Sequence, residues 1–316
     1  MNTIIKSIKI KLEALMWFYK KNHDFKLQWW PPESFMGPLA FDHFFSSQDA
    51  EEKIQQLKSN LDQDSLAVVD NIVSTYRCLE QLKIKRAFIE FERSPHEQEI
   101  ELKTEELKKT SAFSEPHVSI FHHGLKNVPD SVRQYIAGKF FVDAGAYRGE
   151  SVNVLKEYSP AHIYAFEISK KNIKKMKRAL SSVSDLCTIV NNAVGQDCRT
   201  LHFEDTVSSS CTLLNQGKTQ VDSVALDDFF KDRDTPVGFV KADIEGYAFE
   251  MIKGMTGLLQ QDRPVLSIGI YHSPEEFFGI KPFVESLNLD YHFEIRSHSD
   301  HRLQEVDLIA YPEELK

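Results

Sequence analysis

The stretch GKFFVDAGAYRGES, residues 138–151, combines a short apolar run, an acid and two glycines four positions apart. A short apolar run bounded by turn residues, here ending at Asp143, is typical of a buried strand. Gly145 and Gly149 allow the backbone to approach a ligand at positions where a Cβ would collide. Backbone amides at the start of a following helix would face the same place. The stretch therefore predicts a strand, a ligand-binding turn and a helix.

Strand-like and helix-like segments alternate from residue 138 to the end of the chain. This rhythm predicts an α/β fold with a mainly parallel sheet that is covered on both faces. The last two strand-like segments, YHFEIRS and EVDLIAYP, are joined by a short polar link, which favours an antiparallel pair. Ligands of such sheets bind beyond the carboxyl ends of the strands, at the point where the strand order reverses.

The first part of the chain lacks this alternation and favours helices. We therefore expect an aromatic-rich, mainly helical accessory region over 1–115 and a ligand-binding domain over 116–316. Asp62 or Asp64 is suited to cap a helix whose apolar residues recur at spacings of three and four. The members of that stripe are Leu66, Val69, Val73, Tyr76 and Leu79.

Two further segments of the accessory region have an unusual composition. Residues 17–45 are dense in aromatic side chains, and residues 94–110 are dense in charged ones. The aromatic rings either pack the helical region onto the rest of the chain or form a surface for an acceptor or partner. The charged segment favours a solvated helix, with a helix–helix partner surface as the alternative. A homodimer formed through 1–115 is consistent with both patterns.

Composition excludes several classes of protein. The 316 residues are 41% hydrophobic and 27% charged, which is typical of a globular domain. The net charge of −9 argues against a nucleic-acid partner held by bulk positive charge. The four cysteines form no CxxC pair and no zinc-like spacing, so we expect reduced thiols and a cytoplasmic location. No run of eighteen apolar residues occurs, and we expect no transmembrane segment.

A second acid indicates which ligand the turn holds. Glu167 ends the strand-like segment HIYAFE, 22 residues after Gly145. An acid about twenty residues after the turn is where a ribose diol is bound. The turn itself has only two glycines where a dinucleotide motif has three, and its acid would repel a pyrophosphate. These residues predict an adenosine-like ligand with a positively charged tail, which S-adenosylmethionine fits and NAD fits poorly.

The chain resembles the FkbM family of S-adenosylmethionine-dependent methyltransferases over about residues 120–312. The resemblance implies a seven-strand Rossmann-like methyltransferase sheet with an N-terminal mainly helical region. It also implies S-adenosylmethionine as the cofactor and methylation of oxygen atoms, often on sugars. The motifs that carry it are FVDAGAYRGES, YAFE, NNAVG, VDSVALDDFF, VKADIEGYAFEMIKG, PVLSIGIYH and FEIRSHS with DLIAYP.

The resemblance also implies roles for individual residues. Tyr147 and Arg148 depart from the family's pattern; we expect them to line the cofactor mouth, where the arginine also suits an anionic acceptor. Asn192 is implied to lie beside the adenine, with a turn-forming asparagine as the alternative. Arg296 binds an acceptor carboxylate or phosphate, or forms a structural ion pair. The implied cofactor-binding residues are Asp143, Gly145, Ala146, Tyr147, Gly149, Glu167, Asn192 and Asp243.

His272, which follows the fifth strand of the family's motif, is the first choice for the base that deprotonates a hydroxyl. Its alternative role is to cap the next helix. Asp243 and Glu245 are implied to hold the base, bind a hydroxyl or help bind a divalent ion, or to cap the helix that follows them. We expect no metal site, because no convincing ligand set surrounds the other histidines, which include His117, His122, His123, His298 and His301.

The sequence therefore favours an S-adenosylmethionine-dependent O-methyltransferase that acts on a hydroxyl of a sugar, a glycan intermediate or a small molecule. One alternative is a non-catalytic binding protein on the same fold, which need not keep both the glycine turn and Glu167. Another is a dinucleotide-dependent oxidoreductase, whose motif has a third glycine that this sequence lacks. The choice of oxygen as the methyl acceptor atom rests on the family resemblance alone.

Overall fold

The computed structural model describes residues 25–29, 41, 44–81, 87–91, 102, 116–203, 217–298 and 305–316. The strands with bounds in these ranges are β1 (Phe25–Trp29), β2 (Ala87–Phe91), β3 (Phe140–Ala144), β4 (His162–Phe166), β5 (Cys187–Val190), β6 (Ala193–Val194), β7 (Thr200–Phe203), β8 (Thr219–Val224), β9 (Val237–Ala242), β10 (Val265–Gly269), β11 (Tyr291–Ser297) and β12 (Val306–Pro312). The α-helices are α1 (Ala50–Lys58), α2 (Gln63–Gln81), α3 (Pro116–Ser119), α4 (Asp130–Ile136), α5 (Glu150–Leu155), α6 (Lys170–Ala179), α7 (Leu226–Phe229), α8 (Ala248–Lys253), α9 (Thr256–Asp262) and α10 (Pro274–Ser286).

A seven-stranded sheet with the order β11-β12-β10-β9-β3-β4-β5 forms the centre of the fold. Strands β5, β4, β3, β9 and β10 run parallel, whereas β12 is antiparallel to both β10 and β11. The predicted α/β class, the seven-strand sheet and the antiparallel closing pair are confirmed. From β3 the chain extends the sheet first towards β5 and later towards β10. The strand order therefore reverses beside β3, where ligands of such sheets bind.

Both faces of the sheet are covered, which explains why its central strands are almost continuously apolar. Every residue of β9 and β10 is buried. One face, which includes Phe141 and Phe239, packs against α4, α5 and α6. The other face, which includes Val240 and Leu266, packs against α2, α8 and α10. A strand buried on both sides cannot show the alternating pattern of a half-exposed strand.

The helices of the accessory region share the hydrophobic core of the sheet. Phe41 stacks on Tyr76 of α2 with ring centroids 4.1 Å apart, and Phe44 stacks on Phe278 of α10 at 3.9 Å. These contacts agree with the first alternative given for the aromatic segment, in which its rings pack the helical region onto the rest of the chain. The rest of residues 17–45 lies outside the described residues, apart from β1 and Phe45. The boundary near residue 115 and the proposed homodimer stay predictions.

Polar contacts tie the start of α2 to the sheet edge at β11. Asp62 accepts a hydrogen bond through Oδ1 from the amide of Ser65, 2.7 Å away, which confirms it as the helix cap. Arg296 on β11 donates to both carboxylate oxygens of Asp62, at 3.0 and 2.5 Å, and forms an ion pair with Glu294 at 2.9 Å. The guanidinium of Arg296 is therefore engaged in the structural ion pair that was the alternative, and its contact with an acceptor stays a prediction.

The described part of residues 1–115 also contains an element that the sequence did not reveal. Strands β1 and β2 pair in antiparallel fashion, with Phe25 opposite Phe91, although some sixty residues separate them. The charged segment 94–110 lies outside the described residues except for Leu102. Among the described residues, none of the helices combines the length and the apolarity that a membrane crossing requires.

Replacing Asp62 with asparagine should lower the free energy of unfolding by about 1 kcal/mol at pH 7, because a partly exposed ion pair is screened by solvent. Hydrogen bonds from Arg296 hold the pKa of Asp62 well below its usual value. A depressed folded-state pKa adds stability above about pH 4, and this stability is lost as the pH falls through that pKa. Urea denaturation should show the difference between wild type and Asp62→Asn shrinking in acid.

The control for this prediction is Asp64→Asn, which changes an exposed acid in the first turn of the same helix. It should alter stability much less than Asp62→Asn at pH 7. A difference between wild type and Asp62→Asn that stays constant from pH 7 to pH 3 would show that the ion pair contributes nothing.

Candidate active site

The turn between β3 and α5 is held in a conformation that only glycine adopts easily. Gly145 has φ +78° and Gly149, which precedes α5, has φ +88°. A Cβ on Gly145 would lie 1.9 Å from the backbone oxygen of Asp243, and one on Gly149 would lie 2.9 Å from Leu180. The turn is therefore pressed against the end of β9 on one side and against the helix α6 region on the other. Both glycines are explained by close approach as well as by conformation.

A buried ion pair supports this turn from below. Asp143 is completely buried, and Nζ of Lys241 on β9 lies 3.1 Å from its Oδ1. The same ammonium donates to the carbonyl of Gly145 at 2.9 Å. Burial raises the pKa of Asp143 while Lys241 opposes the rise. Burial also pulls the pKa of Lys241 down, but nearby carboxylates, first of all Asp143, outweigh it and raise that pKa.

The expected contact between Asp143 and the cofactor stays a prediction. In this structure the positive group beside the buried Asp143 carboxylate is Lys241. Sequence reasoning missed Lys241, although it stands in the motif VKADIEG. Its role depends on the register in which Asp143 lies opposite Lys241, and that register is visible only once β3 and β9 are paired.

Glu167 lies directly after β4, beside the glycine turn. The amides of Gly145 and Ala146 both donate to the carbonyl of Phe166 at 3.0 Å, so the turn and the end of β4 are joined. The Glu167 side chain accepts from the amide of Ser169 at 2.7 Å. Burial raises the pKa of Glu167, opposed by hydrogen bonds from the amides of Ser169 and Tyr147. The structure thus brings Glu167 and the predicted cofactor turn together.

The residues that depart from the family's pattern form a stacked pair on this turn. Tyr147 has φ +49°, an uncommon value for a residue with a side chain. The guanidinium carbon of Arg148 lies 4.5 Å from the centroid of the Tyr147 ring. The Nε of Arg148 is buried and has no hydrogen-bond partner among the described residues. Ala146, between these residues and Gly145, is buried in the apolar cluster beneath the turn.

Two consecutive asparagines lie in the loop after β5, and they have different partners. Asn191 donates to the carbonyls of Glu167 and Ile168 at 2.9 and 3.1 Å, so it contacts the end of β4. Asn192 donates to the carbonyl of Asp222 on β8 at 3.0 Å. The adenine contact of Asn192 stays a prediction. The contact of Asn191 with the end of β4 could not be predicted from the sequence. The turn between β5 and β6 decides which of the two asparagines faces which strand.

The three predicted catalytic residues meet beyond the ends of β9 and β10. Nε2 of His272 lies 3.3 Å from Oδ1 of Asp243 and 3.6 Å from Oε2 of Glu245. Its Nδ1 lies 3.5 Å from Oε2 of Glu276, a buried residue of α10 that sequence reasoning missed. We call these four residues the His272 cluster.

The alternative roles as helix caps are not found: the side chain of His272 does not cap α10, and those of Asp243 and Glu245 do not cap α8. Ser273 caps α10, since its Oγ accepts from the amide of Glu276 at 3.2 Å. At the start of α8, the amide of Ala248 donates to Oε1 of Glu276 at 2.8 Å. His272, Asp243 and Glu245 are therefore left to interact with one another.

The carboxylates control the charge of the imidazole. Burial lowers the pKa of His272, but the hydrogen bond to Glu276 and the charges of Asp243, Glu276 and Glu245 outweigh burial and raise that pKa to about 9. Burial raises the pKa of Glu245 to about 6 against the opposing effect of His272. Glu245 also has φ +54°, a strained value for a residue of this type. In this arrangement the imidazole is protonated at neutral pH, and its assignment as the base stays a prediction.

The family model described as Methyltransferase FkbM domain matches residues 143–304, which is just over half of the chain. The chain belongs to the FkbM methyltransferase family. The match covers the glycine turn, Glu167 and the His272 cluster. It confirms the resemblance seen in the sequence.

A solved structure with a TM-score above 0.5 shares the fold of this FkbM-family chain. The crystal structure of Methyltransferase FkbM from Methylobacillus flagellatus KT aligns with a TM-score of 0.55 at 18% identity, covering 83% of this chain. The alignment covers 58% of that protein, so this chain spans little more than half of its length. An rRNA methylase from Streptococcus thermophilus aligns with a TM-score of 0.39 at 12% identity, covering 64% of this chain and 98% of its own.

An O-methyltransferase from Bacillus cereus, solved in complex with SAH, aligns with a TM-score of 0.38 at 13% identity and covers 70% of this chain and 92% of its own. No curated protein matches the sequence.

Gly145→Ala should destabilise the fold more than Gly138→Ala does, although both glycines have positive φ. A Cβ on Gly138 would meet nothing within 4 Å, so that variant bears only the left-handed backbone cost of about 1–2 kcal/mol. At Gly145 the backbone oxygen of Asp243 blocks the Cβ, which should add ~1–3 kcal/mol. Urea denaturation of the two variants tests this; equal losses of stability would mean that the turn is not pressed against β9.

Proposed function

We propose that this FkbM-family methyltransferase binds S-adenosylmethionine and transfers its methyl group to a hydroxyl oxygen of a sugar or glycan intermediate. The observation that carries the proposal is the juxtaposition of the glycine turn and Glu167 at the carboxyl ends of adjacent strands. Glu167 would accept hydrogen bonds from the ribose diol of the cofactor, and the turn would let the rest of the nucleoside lie close to the backbone.

Charge in the site favours a cationic cofactor. Lys241 neutralises Asp143 beneath the turn, so Asp143 offers little attraction to a ligand. Asp243 and Glu245 are partly exposed at the end of β9, each with 28% of its side chain accessible. Burial raises the pKa of Glu245, whereas His272 and Lys241 hold the pKa of Asp243 low in spite of burial. Asp243 is therefore the carboxylate best suited to face a sulfonium group.

The reaction would be an in-line displacement at the methyl carbon. As the bond from the acceptor oxygen to that carbon forms, the bond from carbon to sulfur breaks and its electrons remain on sulfur, leaving S-adenosylhomocysteine. Alignment of the two reactants in such a site can contribute ~7–11 kcal/mol. The hydroxyl proton must leave in the same process, because a neutral hydroxyl is a poor nucleophile.

The carboxylates of the His272 cluster are the proposed proton acceptors, because its imidazole is already protonated at neutral pH. His272, Asp243 and Glu245 interact too closely for one residue to titrate alone, so the proton is assigned to the cluster as a unit. Glu276 holds the imidazole from its other nitrogen and acts as a positioning residue. This arrangement provides carboxylate oxygens and an imidazole at the place where the acceptor hydroxyl would meet the methyl group.

The acceptor is the part of the proposal that rests on the family resemblance. Arg148, stacked on Tyr147 at the turn, is the charged side chain placed to meet an acceptor with an anionic group. Incubating the protein with methyl-labelled S-adenosylmethionine and separated fractions of glycans, small-molecule alcohols, proteins and RNA would identify the acceptor class. Label in the glycan or alcohol fraction, resistant to mild hydrolysis as an ether is, supports O-methylation. Label confined to protein or RNA contradicts it.

Glu167→Gln should weaken the binding of S-adenosylhomocysteine by ~1–3 kcal/mol, because a charged hydrogen-bond acceptor becomes a neutral amide of the same shape. Isothermal titration calorimetry measures the change, with Glu157→Gln, an exposed glutamate after α5, as the control that should bind normally. A titration with NADH should give no heat. Wild-type protein that gives no heat with millimolar S-adenosylhomocysteine would contradict the cofactor assignment.

His272→Ala and Glu245→Gln should each slow methyl transfer by ~10²–10⁴-fold, because the cluster that accepts the proton loses either a carboxylate or the imidazole that its carboxylates surround. Cofactor affinity should stay within about twofold of wild type, since neither residue lies at the ribose. The matched control is His292→Ala. His292 is another buried histidine, lies on β11 and is paired with two carboxylates. If His272→Ala and His292→Ala retain the same activity, the cluster has no part in the transfer.

A further inference from the structure

Three side chains from distant segments meet beside the His272 cluster. His117 lies on α3, Asp243 follows β9, and Glu305 precedes β12. One nitrogen of His117 and one carboxylate oxygen from each acid all lie within 4.8 Å of one another. Within this group, Nδ1 of His117 is 3.2 Å from Oε2 of Glu305. All three are partly buried, and the group lies at the carboxyl edge of the sheet.

One phenol lies between the two carboxylates of this group. The hydroxyl of Tyr271 lies 3.3 Å from Oδ1 of Asp243 and 3.3 Å from Oε1 of Glu305. A neutral phenol has one proton, so it can donate to only one of these carboxylates at a time. Two carboxylates held this close disfavour each other's ionised form. A cation bound between them would relieve this repulsion.

The histidine of the group has a ring nitrogen that makes no hydrogen bond among the described residues. Nδ1 of His117 is buried and makes no hydrogen bond of acceptable geometry within the part of the chain that the structure describes. Only 13% of the His117 side chain is exposed. A buried nitrogen that makes no hydrogen bond is unfavourable, and an ion bound to its lone pair would relieve this. The His117 nitrogen that makes no hydrogen bond and the closely spaced carboxylate oxygens therefore lie in the same place.

We propose that His117, Asp243 and Glu305 bind a divalent cation of the Mg²⁺ or Mn²⁺ class. Carboxylate oxygens and water suit these ions, and an imidazole nitrogen is an accepted additional ligand. Ligands of such an ion lie about 2.0–2.1 Å from it, so opposite ligands are about 4.2 Å apart. The group spans 4.8 Å and needs only a small contraction to reach this geometry. Three positions of an octahedron would remain for water and for an acceptor oxygen.

The role of the ion rests on the proposed methyl transfer. Asp243 belongs both to this site and to the His272 cluster, where it lies 3.3 Å from the imidazole. An acceptor hydroxyl bound to the ion would therefore lie next to the groups that take its proton. A divalent ion lowers the pKa of a bound hydroxyl and orients it. No oxidation or reduction is involved, and the ion is not consumed.

The test is a titration of the full-length protein with MnCl₂, followed by electron paramagnetic resonance, because bound Mn²⁺ loses the six-line signal of the free ion. Wild type should bind one Mn²⁺ per chain, and MgCl₂ should displace it. His117→Ala and Glu305→Gln should each weaken binding by at least ~10-fold. The control Glu313→Gln removes a carboxylate 3.2 Å from Nδ1 of His292, the same separation found at His117, and should bind normally.

Two results would overturn the site: no binding by wild type at millimolar Mn²⁺, or undiminished binding by both Glu305→Gln and His117→Ala. Glu305→Gln keeps the size of the side chain, and circular dichroism would show that it folds even if His117→Ala does not. Calorimetry with S-adenosylhomocysteine in EDTA separates this inference from the proposed function. Cofactor binding without Mn²⁺ binding would remove the metal site alone, and Mn²⁺ binding without cofactor binding would remove the methyl transfer alone.

Discussion

The buried ammonium of Lys241 holds the centre of this protein together. It lies between the carboxylate of Asp143 and the carbonyl of Gly145, and so it joins the ends of β3 and β9 to the glycine turn. Breaking such a pair by removing one partner leaves an uncompensated buried charge and costs about 3–5 kcal/mol. The position of the turn follows from this constraint. With Gly145 fixed against the backbone of Asp243, both the glycine turn and the residues that follow β9 have defined positions.

Local patterns were sufficient to predict the elements of the sheet and the start of α2. Asp62 caps α2 because a short polar side chain before an apolar period satisfies a free amide, and this signal is local. Pairing was harder, because it depends on contacts between residues far apart in the chain. The β1–β2 sheet, the partner of Asp143 and the choice between Asn191 and Asn192 all depend on register. For that reason the pairing of Asp143 with Lys241 could not be predicted from the sequence.

The His272 cluster is costly for the fold, which supports a functional reading of it. Three carboxylates surround one imidazole, and two of them, Asp243 and Glu245, come from a single turn in which Glu245 has a strained backbone. A core that required only stability would place apolar side chains here, since buried ion pairs seldom stabilise more than a well-packed apolar replacement. Strained residues and perturbed pKa values occur together at functional sites more often than elsewhere.

Strand β9 shows how one segment serves both the core and the site. Alternate residues of a strand face the same side, so Phe239, Lys241 and, after the strand end, Asp243 follow one another along one face. Phe239 packs against Phe141 in the apolar core, Lys241 neutralises Asp143 one step further along, and Asp243 meets the imidazole of His272 beyond the last hydrogen bond of the sheet. Polarity therefore rises along the strand towards its carboxyl end. Because the parallel neighbours of β9 end at the same edge, the charges that would weaken the core gather where a ligand can compensate them.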